Sequence, residues 1–124
     1  MNRRRLERIA RAEIDALRRA LPPEMRAAAD ALPVVLMPRP TREMIREDGL
    51  DPDLLGLFVG PSLADGLEGG DPLPAEILLF TDNLWDYAEG DEVVFREEVR
   101  VTCFHEFGHY LGLEEGDLEA RGIE

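Results

Sequence analysis

Apolar residues recur at steps of three and four near the start of the chain: Leu6, Ile9, Ala10, Ile14, Leu17 and Leu21. That spacing predicts an amphipathic helix over residues 3–20 with an arginine-rich outer face. Pro22-Pro23 stops it and can open a second, short, alanine-rich helix over 23–31. The run from Pro33 to Pro38 reads as a strand bounded by prolines. Thr41 is placed to cap a short helix to about Asp48, with Gly49 as its stop. Residues 54–60 predict a second strand. The Gly- and Pro-rich stretch 60–74 predicts a long irregular loop of the kind that often borders a site. Residues 76–81 predict a third strand, after which Asp82 is placed to cap a helical turn through Tyr87.

From Asp91 to Leu111 there is no proline, and the only glycine is Gly108. Phe95, Val99, Cys103, Phe107 and Leu111 recur at steps of four, and Val94, Val101 and Phe104 add apolar surface on other sides. A helix apolar on most sides is a central one. With Asp91 as its cap it runs about 30 Å, the width of a small domain. Two helices, a few short strands with a helix between them, and a long last helix make an α+β pattern. The 124 residues fit one domain, 1–124.

Charge narrows the partners. The formal net charge is −13, yet residues 1–20 hold seven Arg against three acidic residues, so the remaining 104 carry −17. Such a body repels nucleic acid and anionic lipid, which argues against either as a main partner. The N-terminal helix reads as a packed helix with a solvated basic face, its positive side interrupted by Glu7, Glu13 and Asp15. No apolar run is long enough for a bilayer, and no secretory leader is visible, so the chain as given is expected to be cytoplasmic. The single cysteine, Cys103, excludes an internal disulfide and a multi-cysteine zinc site.

The two histidines of the chain are His105 and His109, in the order His105-Glu106-Phe107-Gly108-His109. Residues four apart share one helical face, so both imidazoles can reach one ion. Two histidines placed at random would fall four apart only about 2% of the time, and the intervening Glu lowers this further. A zinc site needs a third protein ligand. Gly112 can take the positive φ that ends a helix sharply and turns the chain back. The sixth residue past His109 is Glu115, a competent carboxylate ligand, with Glu114 and Asp117 as neighbouring alternatives. Glu106 projects about 100° around the axis from His105, where it can act on water without being a ligand.

The stretch His105 to Glu115 resembles the extended motif of the zincin-like metallopeptidases, and the chain's size and late motif resemble the bacterial minimal zincins. The segments Leu55-Gly56-Leu57-Phe58-Val59-Gly60 and Pro74 to Phe80 are similar to that family's pattern. The resemblance implies a three-stranded mixed sheet packed on helices, with zinc held by His105, His109 and an acidic third ligand. That ligand is usually Asp in the family, where this chain has Glu115. The third His and the later Met-containing turn of the metzincins are missing.

The implied chemistry is peptide hydrolysis by water activated on Zn²⁺, with Glu106 as general base. The expected substrate is a peptide or an unfolded protein segment, and the oligomeric state is left open. An extended substrate could pair with a strand edge, for which the third strand, 76–81, is the candidate. Nothing singles out a transition-state donor among Tyr87, Tyr110 and Arg121. Cys103 is expected in the core, about 200° from His105, and Trp85 is expected to be a packing anchor. The competing reading is a non-catalytic zinc-binding interaction module with a structural metal site.

Overall fold

The computed structural model describes residues 1–61 and 74–112. The long loop expected at 60–74 therefore falls almost wholly outside the described residues.

The first helix, α1 (Arg3–Ala20), starts where the Asn2 side chain accepts the Arg5 N–H at 2.9 Å. It buries Leu6, Ile9, Ala10 and Ile14, the face its periodicity predicts. Helix α2 (Pro23–Ala31) begins on proline and contributes Met25 and Ala29 to the core. Strand β1 spans Val34–Met37. Helix α3 (Arg42–Glu47) is capped by Thr41, whose hydroxyl accepts the Met44 N–H while the Met44 sulfur accepts the Thr41 N–H.

Strands β2 (Gly56–Val59) and β3 (Glu76–Phe80) complete a three-stranded sheet in the order β1-β3-β2. β1 runs parallel to β3, with Val34 opposite Ile77. β2 runs antiparallel to β3, with Phe58 opposite Ile77. β3 is therefore the central strand, which explains its nearly continuous burial from Ile77 to Phe80.

Two local readings need correction. The last residue assigned to the third strand, Thr81, instead opens helix α4 (Thr81–Tyr87) with no intervening loop. Asp82 does not cap that helix but lies in its first turn; the cap position is Phe80, which makes no side-chain cap bond. The sharp switch is held by the Thr81 hydroxyl, which donates to the Met37 carbonyl at 3.4 Å.

Helix α5 (Glu92–Leu111) is capped by Asp91, whose carboxylate accepts the Val93 and Val94 N–H groups. It buries Phe95, Val99, Cys103, Phe104, Phe107 and Gly108 against α1, α4, β2 and β3. Trp85 packs edge-on to Phe95 with ring centroids 5.7 Å apart, as a packing anchor should. Glu13 of α1, its side chain mostly buried, takes Arg96 at 3.2 Å and Arg100 at 3.4 Å and ties α1 to α5. Among the described residues, no helix is long and apolar enough to cross a membrane.

Candidate metal centre

His105, Glu106 and His109 lie on the last two turns of α5, and their donor atoms all fall within 4.8 Å of one another. The imidazole centroids are 4.9 Å apart and the ring planes stand at 81°. The expected clustering of the two rings is met. α5 is less enclosed than its composition suggests: His105 and Glu106 are half-buried and His109 is exposed, while Val93 near its start is 74% exposed. The helix thus keeps one solvent-facing side, and the motif stands on it.

The two imidazoles supply nitrogen donors of the kind zinc accepts, and the Glu106 carboxylate stands beside them. Tetrahedral bonds of about 2.0–2.1 Å place ligand atoms roughly 3.3 Å apart, within reach of these side chains by small rotations. The softer donor, Cys103, faces the opposite side and is buried, so it is not available to the same ion. Burial pushes its thiol up to about 11.

The exit from α5 follows the sequence expectation. Gly112 sits at φ +74°, with its N–H shared between the Gly108 and His109 carbonyls. A side chain there would be strained by the left-handed backbone. Glu115, Glu114, Asp117 and Arg121 lie outside the described residues.

Strand β2 lies along one row of α5, formed by Thr102, Glu106 and Tyr110 at steps of four. A Cβ on Gly56 would come within 2.7 Å of the Thr102 methyl, so glycine permits this close approach. Two residues on, the Phe58 N–H approaches the Glu106 carboxylate closely enough to favour its charged form. The Phe58 ring packs on Tyr110 with centroids 5.7 Å apart. Burial raises the Glu106 pKa above the ordinary carboxylate value; His109, His105 and the Phe58 N–H act in the opposite direction.

The sequence pattern predicts neither the Gly56–Thr102 contact nor the approach of Phe58 to Glu106. A glycine inside an apolar strand run was the available signal for the first. A second missed element is Asn83, which is buried. Its Nδ2 donates to the Pro52 and Leu54 carbonyls at 2.7 and 2.9 Å, and its Oδ1 accepts from Arg39 at 2.7 Å. These bonds anchor the chain just before β2.

The expectation that the third strand offers an edge is overturned, since β3 is paired on both sides. Among the described residues the open edge beside the motif belongs to β2. The Phe80 N–H bonds to the Leu55 carbonyl at 3.0 Å, which makes Gly56 and Phe58 the positions whose backbone groups point away from β3. As for donors, Tyr110 is engaged in packing, with Phe107 also 6.3 Å from its ring, and Tyr87 is exposed at the end of α4.

A search of curated proteins finds none that matches this chain. The sequence profile of the zincin-like metallopeptidases matches residues 29–123, all of the chain except α1 and most of α2. That range takes in the whole sheet and the helix carrying His105, Glu106 and His109, and on this match the chain belongs to the zincin-like metallopeptidase family.

Proposed function

We propose that this protein is a zinc-dependent peptidase that hydrolyses peptide bonds in extended peptides or unfolded protein segments. His105, His109 and Glu115 are assigned as the metal ligands and Glu106 as the general base. When bound, zinc would supply Lewis acidity toward a substrate carbonyl and lower the pKa of water. The observation that carries the reading is the placement of Glu106. Its carboxylate is half-buried beside both imidazoles, with the Phe58 N–H close by. A structural metal site has no use for a base held in this way.

Glu106 accepts a proton from the attacking water at its carboxylate and delivers it to the leaving amine. Partial burial raises its proton affinity, which favours taking the proton from the attacking water. Among the described residues the outer edge of β2 pairs with no strand, and the Gly56 backbone groups with the Phe58 carbonyl support an extended peptide as the substrate form, because strand groups recognise backbone without demanding a particular side chain.

The test is Glu106→Gln. The variant is expected to keep its zinc while peptide hydrolysis falls about 10²–10⁴-fold, the usual contribution of a positioned base. If zinc-loaded wild-type protein cuts no member of a broad peptide library, the metal is structural and the protein is an interaction module.

A further inference from the structure

Among the described residues the sheet has a second open edge, on β1. β1 pairs only with β3, and the Pro33 carbonyl accepts the Ile77 N–H at 2.9 Å. In a parallel ladder this sets residues 33, 35 and 37 toward β3 and leaves the backbone groups of Val34 and Leu36 pointing outward. A cavity of about 660 Å³ opens between this strand and α1, lined by Leu36, Glu7, Arg4, Arg8 and Arg11.

The three arginines are spaced i, i+4 and i+7, so they form one row about 10 Å long on α1. All three are exposed, and no ion pair or hydrogen bond engages their guanidinium groups among the described residues. Their neighbours behave otherwise. Arg3 pairs with Asp82, Arg5 with Glu92, and Arg18 lies near Asp15. In a chain with 27 acidic residues, a row of three cations and a strand edge that are both unpaired among the described residues make a local surplus of donors of two kinds. The profile match begins at residue 29, so α1 and its arginine row lie outside the range shared with the family.

We propose that this groove docks an acidic, extended segment of another protein. The segment adds as a fourth strand to the outer edge of β1 and sets its carboxylates against Arg4, Arg8 and Arg11. Side chains on one side of a strand repeat about every 6.7 Å, which matches the reach of an arginine row of this length. A strand satisfies the outward groups of Val34 and Leu36, as a nucleic acid or a membrane surface cannot. Glu7 in the groove and the acidic body beyond it oppose a dense polyanion more than a short peptide.

The test uses a fluorescein-labelled octapeptide, Glu-Val-Glu-Thr-Glu-Val-Glu-Thr, titrated with the full chain and read by anisotropy. Saturable binding is expected. Arg8→Glu should weaken it at least tenfold, with an unchanged circular-dichroism spectrum, because Arg8 is exposed. N-methylation of alternate peptide amides should weaken it by a similar factor, and a Lys-for-Glu peptide should not bind. The proposal is overturned if the octapeptide fails to bind, if the N-methylated peptide binds equally well, or if Arg8→Glu has no effect. It is also overturned if single-stranded DNA or anionic vesicles bind in place of the peptide. A concentration-dependent dimer abolished by Arg8→Glu would equally overturn it, by making a second copy the occupant. None of these readouts depends on metal or on hydrolysis.

Discussion

At the scale of single residues, burial sets the chemistry. Cys103 is two positions from a metal-ligand candidate, yet it faces the core with its thiol pushed up to about 11. Modification by a thiol reagent at pH 8 is therefore expected to be slow until denaturant is added. In the unfolded chain the thiol ionises near its ordinary value, whereas in the folded chain it stays protonated to higher pH. The folded state then holds more protons between about pH 9 and 11, so stability falls across that window. Urea unfolding should show up to about 1.4 kcal/mol lost per pH unit there, and Cys103→Ala should remove that component. Asn83 represents the opposite case, a buried polar group with every bond made. Asn83→Ala leaves the Pro52 and Leu54 carbonyls without their donor, while Arg39 keeps its pairing with Asp86, and is expected to cost about 1–3 kcal/mol in the same measurement. Cys103 was legible in the sequence because helical periodicity fixes which side it faces. Asn83 was not, because its partners are more than 25 residues away in the chain.

At the scale of elements, the contact between β2 and α5 decides the geometry of the site. Gly56 lets the strand approach Thr102, and that approach brings the Phe58 N–H to Glu106. Gly56→Ala pushes a methyl into a β-branched side chain that cannot swing away freely, at a cost of about 1–3 kcal/mol. Thr102→Ser removes the methyl nearest the new Cβ, so the double variant should recover part of the loss. A thermodynamic cycle on Gly56→Ala and Thr102→Ser checks this; simple additivity would mean that the two residues do not press on each other. The helices were readable in advance, since Asp91, Thr41 and the prolines mark their ends. The switch at Phe80–Thr81 was not, because no glycine or proline signals a turn that is held by a bond to β1.

At the scale of the molecule, a long helix carries the motif and reaches from the α1 face to the sheet. Metal bound to the folded chain alone would stabilise it by mass action, by about 2.7 kcal/mol at a hundredfold excess over Kd. Chelation is then expected to lower the melting temperature of metal-loaded protein by about 10 °C, at roughly 4 °C per kcal/mol. An unchanged transition in a calorimeter would count against an occupied site. Among the described residues the sheet also has two open edges of different character, β2 beside the metal motif and β1 beside an arginine row. Each is given its own role here because an unpaired edge is either a liability or an interface.

What the sequence determined alone was local: the helix spans, the capping residues, the histidine pair on one face, and the glycine that ends the motif helix. These depend on residues within a turn or two of each other, where periodicity and backbone preference act directly. Only the tertiary structure decided which strand is central, which edges stay open, and what holds Glu106 in place. Strand order follows from how long-range pairings bury the sheet. The approach of Phe58 to Glu106 joins positions nearly fifty residues apart, so no local pattern encodes it.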